Sequence, residues 1–174
     1  MKTTLNEIRA KSPCSSGWKK ILAHLGKTKA DDEPVSIITI LDNNGLDDAL
    51  WCLQAVKGRD REIRLYGVWC ARQVQHLMTD PRSIAALDMS ERFANGEATS
   101  DELAAAGAAA WAVVGDAEWD ASRDASRAAA WTASRDESRD ASRTAARAAA
   151  WAASRTASRT AQEKKLRELC AECH

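Results

Sequence analysis

The segment Cys170-Ala-Glu-Cys173-His174 has the spacing of covalent c-type haem attachment, in which two thioethers hold the porphyrin and a histidine ligates the iron. The same three side chains could instead form a thiol or zinc site. We favour an ordinary helix end, because the pattern is short and no apolar export signal opens the chain. We therefore expect no cofactor, with Cys170, Cys173 and His174 as a weak metal candidate.

A basic run over residues 141–167 is the second candidate site, with seven Lys or Arg residues against Glu163 alone. In the preceding stretch, an Asp lies three residues before an Arg and can form an ion pair with it, as Asp120 does with Arg123. After residue 141, Thr stands where those Asp residues would be. The arginines there can therefore bind an anionic group from another part of this chain, from an acidic protein or from a phosphate backbone. The candidate partner-binding residues are Arg143, Arg147, Trp151, Arg155 and Arg159.

The remaining reactive side chains have structural explanations. His24 and His76 fall on predicted helices without a metal-spaced partner. Asp47-Asp48 stands at a helix start, where carboxylates are favoured, and residues 31–33 form an acidic loop. No glycine-rich phosphate loop, nucleophile elbow or His-Glu metal motif occurs in the sequence, so we predict a protein that is not an enzyme.

Residues 116–165 contain no Leu, Ile, Val, Met, Phe, Gly or Pro. Ala-Ala-Ala-Trp recurs every 20 residues, ending at Trp111, Trp131 and Trp151, with Ser-Arg dipeptides between. Alanine and Asp–Arg pairs favour helix. One straight helix over 101–172 would be about 108 Å long, against a diameter of about 40 Å for a compact chain of this size. We therefore predict at least one reversal, at Gly115-Asp116 or within 134–138.

The large aliphatic residues lie in the first two-thirds of the chain, which predicts an all-α fold. We expect a short-helix region with an aliphatic core over 1–100, and Ala-rich repeat helices packed on it over 101–174. The run Val35–Leu41 could be a strand or a buried helix; we predict a helix beginning at Pro34, because no partner strand is evident. Leu50, Trp51 and Trp69 are expected in the core, so Trp69→Ala should cost about 3–5 kcal/mol. The other expected core residues are Leu25, Ile37, Ile38, Ile40, Leu41, Leu46, Leu53, Ile63, Leu65, Val68, Leu77, Ile84, Leu87 and Leu103.

Capping residues divide the front of the chain into helices. We predict helix starts at Thr4, at Ser16, at Asn44 or Asp47, and at Asp80-Pro81, with a long helix over 59–78. The segment Thr99-Ser-Asp-Glu102 is a capping box ahead of the alanine region.

Composition weighs against several function classes. The 25 basic and 25 acidic residues give a formal net charge of zero, which is typical neither of a generic nucleic-acid binder nor of an acidic DNA mimic. No apolar stretch approaches the length of a membrane span, so we expect a cytoplasmic protein without a membrane partner. Five cysteines without a secretion signal predict reduced thiols.

Four segments and the Ala/Trp/Arg run that follows them resemble a family of immunity proteins from bacterial polymorphic-toxin loci, with a close subgroup in phage and prophage genomes. The segments are Leu46–Leu53, Cys70–Val74, Asp80–Arg82 and Glu91–Thr99, and the resemblance covers roughly residues 40–160. It implies an all-helical protein that neutralises another protein by binding it. We therefore expect an inhibitor of a toxin or of a bacterial defence component such as a CRISPR complex. The alternative is a nucleic-acid-binding protein that uses residues 143–167.

Overall fold

The computed structural model describes the backbone of residues 1–116 and 159–172, and the side chains of 1–112 and 159–172. Helices make up most of these residues, in agreement with the predicted all-α class. No helix in these two ranges is both long and apolar enough to cross a membrane. In chain order the elements are β1 Lys2–Thr4, α1 Leu5–Ala10, α2 Ser15–His24, β2 Pro34–Ser36, α3 Ile37–Asn44, α4 Leu46–Cys52, a 3-10 turn Leu53–Ala55, α5 Asp60–Arg72, a 3-10 turn Gln75–Leu77, α6 Pro81–Ala94, α7 Ser100–Asp116 and α8 Arg159–Glu172.

The two short strands correct the prediction of a helix beginning at Pro34. Strand β2 pairs with β1 in antiparallel register, with Thr3 opposite Val35. The helix begins only at Ile37, because the Ser36 hydroxyl accepts a hydrogen bond from the backbone N–H of Ile38 and caps α3. A proline is tolerated in β2 because an edge strand leaves N–H positions that need no partner.

Local capping signals are confirmed at three helix starts. Thr4 and Glu7 form a reciprocal capping box on α1, and the Asp80 carboxylate accepts from the N–H of Arg82 at 2.8 Å. At the start of α7, Glu102 N–H donates to the Thr99 hydroxyl oxygen at 3.2 Å, and Thr99 N–H donates to the Glu102 carboxylate at 2.7 Å.

Three other predicted boundaries are wrong. Helix α2 begins at Ser15, with Cys14 as its cap rather than Ser16. Neither Asn44 nor Asp47 caps α4; Gly45, at a φ of 95°, makes a sharp turn from α3 into α4 without a side-chain cap. The helix predicted over 59–78 ends at Arg72 and continues only as a 3-10 turn.

The main core joins the front helices to α8. Leu166, Leu169 and Cys170 are buried in the same cluster as the aliphatic residues of α1, α3, α4 and α5. The Tyr66 hydroxyl donates to the backbone oxygen of Gln162 at 3.2 Å, which ties α5 to α8. Most of the expected core residues are buried, whereas Leu25, Ile38, Leu65, Leu77 and Ile84 are half-buried.

A second, smaller cluster holds α7 against α6. Leu103, Gly107 and Ala110 are buried at four- and three-residue steps along α7, and Leu103 and Ala110 pack with Ala86 of α6. Small residues allow the two helix backbones to approach closely. Helix α7 thus lies on α6 while α8 lies on α5 and α3. The reversal predicted between these two helices lies outside the described residues. Helix α7 continues through Gly115, and the second predicted break lies outside the described residues.

The tryptophans are less buried than predicted. Leu50 is buried, but Trp51 and Trp69 are only half-buried, and Trp111 is exposed. The large buried aromatic residue is Tyr66, on which Trp69 stacks with ring centroids 6.3 Å apart. A loss of stability of about 3–5 kcal/mol is typical when a fully buried aromatic such as Tyr66 is replaced by alanine. Because Trp69 is only half-buried, Trp69→Ala should cost less.

Candidate functional site

A cleft between α2 and the helix pair α3–α4 is the candidate site, with a volume of about 220 Å³. Its apolar walls include the indoles of Trp18 and Trp51, and its polar groups include the carboxylates of Asp47 and Asp48. We call it the tryptophan cleft. Two cysteines also line it: Cys14 is exposed and Cys52 is buried.

A glycine in the first turn of α2 allows the cleft to form. A Cβ atom on Gly17 would lie 2.6 Å from Asp48 Oδ2, so the Asp48 carboxylate can occupy this position only against a glycine. Asn44 hydrogen-bonds to both residues of this contact. Its Nδ2 donates to the Gly17 backbone oxygen at 2.9 Å and to Asp48 Oδ2 at 2.7 Å. Asp47 and Asp48 stand in the first turn of α4, where the helix N-terminus stabilises their negative charge, as predicted.

The pKa values of the two thiols of the cleft are shifted in opposite directions. The Ser16 hydroxyl, followed by the Gly17 N–H, hydrogen-bonds to the Cys14 sulfur and lowers the pKa of this exposed thiol. Burial raises the pKa of the Cys52 thiol to about 12, so Cys52 is protonated at neutral pH. Cys14 is therefore the accessible nucleophile. Within the described residues no histidine lines the cleft, so none of them offers Cys14 a general base of the kind that cysteine hydrolases use.

Two arginines contact residues that line the cleft. The Arg9 guanidinium lies over the Trp18 ring at 5.4 Å from the centroid. Arg159, a predicted partner-binding residue, places Nη2 at 2.8 Å from Asp47 Oδ2. Both groups of this ion pair are well exposed, so the pair contributes at most about 0.2–1 kcal/mol. The pair nevertheless links the first residue of α8 to a residue that lines the cleft.

Most of the predicted basic site lies outside the described residues. Arg143, Arg147, Trp151 and Arg155 lie outside the described residues. Farther along the same basic run, Arg167 pairs with Asp42 and Glu163. Arg159 and Arg167 thus meet another part of this chain, which is one of the three alternatives left open by the sequence.

Of the cysteine and histidine residues considered in the sequence, some lie within the described residues and others lie outside them. Cys170 is buried in the main core, while Cys173 and His174 lie outside the described residues. His24 and His76 are exposed on the surface. Within residues 1–116 and 159–172, no three His, Cys, Asp or Glu side chains are grouped to hold a metal ion.

Sequence reasoning missed Trp18, Cys14 and Asn44 as members of one site. The local signal was Gly17, a glycine inside a predicted helix, because a residue without a Cβ atom lets other groups approach the backbone closely. Comparison of the chain with protein-family models, with curated proteins and with solved structures finds no match.

Proposed function

We propose that this chain is a cytoplasmic, non-enzymatic binding protein, encoded by a phage or prophage, that inhibits a macromolecular target. The target is a bacterial toxin or a component of a defence system such as a CRISPR complex. The observation that carries the proposal is the tryptophan cleft, which combines aromatic rings and carboxylates with a thiol beside which no histidine lies among the described lining residues. Such a lining suits recognition of a side chain better than turnover of a substrate.

Two further features support a protein as the target. Tryptophan is enriched among the residues that dominate binding at protein interfaces, and Trp18 and Trp51 are half-buried in a concave surface while Trp111 is exposed. The resemblance to immunity proteins points to the same class of activity. Its segment Leu46–Leu53 contains Asp47, Asp48, Trp51 and Cys52, so it covers one wall of the cleft.

The test is protection of bacteria by co-expression. Cells that carry a toxin or a defence system receive the full chain, a Trp51→Ala variant or a Glu172→Gln variant, and survival or phage plating is measured. We expect protection by the wild type and by Glu172→Gln, whose exposed side chain does not line the cleft. We expect reduced protection by Trp51→Ala at equal folded protein level. Absence of protection against every toxin and defence system tried would refute the proposal.

Nucleic-acid binding is the second candidate, supported by the seven basic residues over 141–167. The ion pairs of Arg159 with Asp47 and of Arg167 with Asp42 reduce the charge available to a phosphate backbone. The protein target is therefore the better supported of the two.

A further inference from the structure

We propose that the tryptophan cleft accepts the guanidinium group of an arginine side chain carried by a protein partner. The source of that side chain rests on the proposed function. The chemistry of the cleft does not depend on it, because the cleft is formed entirely by residues of this chain.

The size of the cleft fits one side chain. Its volume of about 220 Å³ is several times the ~30 Å³ that one water molecule takes up in the liquid. It is smaller than the roughly 300–1,000 Å³ of pockets that enclose drug-sized ligands. A single long side chain entering from a neighbouring surface therefore matches this volume better than a whole metabolite does.

The lining selects for a cation with a flat, apolar face. Trp18 and Trp51 both line the cleft, and a guanidinium stacks favourably on such aromatic rings. Asp47 and Asp48 provide carboxylate acceptors at the same cleft. Arginine meets both demands, since its planar guanidinium stacks on aromatic rings and donates in parallel to a carboxylate. Lysine, a compact and strongly hydrated point charge, meets only the second demand well.

The chain already uses arginine on two groups of this lining. Arg9 stacks over Trp18 with its guanidinium carbon 5.4 Å from the ring centroid, and Arg159 pairs with Asp47 at 2.8 Å. Asp48 differs from Asp47 because it forms no ion pair within the part of the chain that the structure describes; its hydrogen bond is from Asn44. Asp48, with Trp51 beside it in the cleft, is therefore the acceptor that an incoming arginine would meet.

The test compares two probes that differ in charge. The full chain is titrated with N-acetyl-arginine amide and with N-acetyl-citrulline amide, which has nearly the same shape but no charge. The indole N–H signals of Trp18 and Trp51, assigned with single Trp→Phe variants, are followed by NMR. We expect saturable shifts of both signals with the arginine probe, and binding of the citrulline probe that is weaker by about tenfold or more.

Two variants locate the binding group. Asp48→Asn keeps the shape and an acceptor for Asn44 but removes the charge, so it should weaken the arginine probe by about tenfold. Glu172→Gln removes a carboxylate that does not line the cleft and should leave the affinity unchanged. Equal affinity for the two probes on the wild type, or unchanged arginine affinity in Asp48→Asn, would overturn the inference.

The outcome is separable from that of the proposed function. Cell protection without charge-selective binding of the arginine probe removes this inference and leaves the proposed function standing. Selective binding of the arginine probe without cell protection supports the assignment of the cleft and counts against the proposed function.

Discussion

Gly17 lies against the Asp48 carboxylate, so its replacement by alanine sets two effects of opposite sign against each other. Alanine is the better helix former by up to about 0.8–1.0 kcal/mol, which favours the variant. The new Cβ would lie 2.6 Å from Asp48 Oδ2 and 3.1 Å from Asp48 Cγ. Ordinary contacts between such atoms are about 3.5–4.0 Å, so the carboxylate has to withdraw by roughly an ångström.

Withdrawal breaks the hydrogen bond of 2.7 Å from Asn44 to Asp48. A hydrogen bond to a charged group contributes about 1.5–3 kcal/mol, and the lower end applies because water reaches this half-buried carboxylate. We therefore expect Gly17→Ala to destabilise the fold by about 1 kcal/mol. In an Asp48→Ala background the clash and the hydrogen bond are both absent. There, the same substitution should stabilise the fold by up to about 1 kcal/mol.

The assay is urea unfolding of the wild type, both single variants and the double variant, followed by far-UV circular dichroism. Ala23→Gly, at an exposed position on the same helix, measures the helix-propensity effect alone. A change in the free energy of unfolding that has the same sign in both backgrounds would refute the close approach of Gly17 to Asp48. It would also refute the packing that shapes the tryptophan cleft.

Three further predictions concern α8, the reactive thiol and the basic run. Leu166→Ala should cost about 2–5 kcal/mol in urea unfolding, because Leu166 is fully buried in the main core, whereas exposed Lys164→Ala should cost little; equal small effects would show that α8 is not docked. The lowered pKa of Cys14 increases its thiolate fraction at any given pH, so its alkylation by iodoacetamide, mapped by mass spectrometry, should rise at lower pH than in an unfolded peptide containing Cys14. Ser16→Ala removes the largest cause of that shift and should move the alkylation curve to higher pH; an unmoved curve would contradict this cause. Titration with DNA and RNA at two salt concentrations should show weak binding, and tight binding with a steep salt dependence would favour the nucleic-acid alternative for residues 143–167.

The parts of the fold that could be predicted from sequence depend on neighbours in the chain. A capping box is formed by residues three positions apart, so Thr4 with Glu7 and Thr99 with Glu102 could be identified directly. The pairing of β1 with β2 could not be predicted, because three-residue strands carry no periodic signal and their paired residues are about 30 or more positions apart.

The candidate site was hidden for the same reason. Its residues come from two segments, 8–21 and 40–52, and composition does not show that these segments meet. Arg159 was identified as a binding residue from its basic neighbourhood, but its partner, Asp47, is 112 positions away. Which partner an arginine meets is set by how the helices dock, and the repeat pattern does not encode that.

This protein is proposed to act by forming a complex rather than by catalysis, and the stoichiometry of inhibition tests that proposal most directly. A target identified by the protection assay is purified, and its activity is measured against increasing amounts of the full chain, with complex formation followed in parallel by analytical ultracentrifugation. We predict that inhibition follows the fraction of target in the complex and requires at least one copy of this chain per target. Complete inactivation of the target by far fewer copies, without a detectable complex, would contradict the claim and indicate an enzyme.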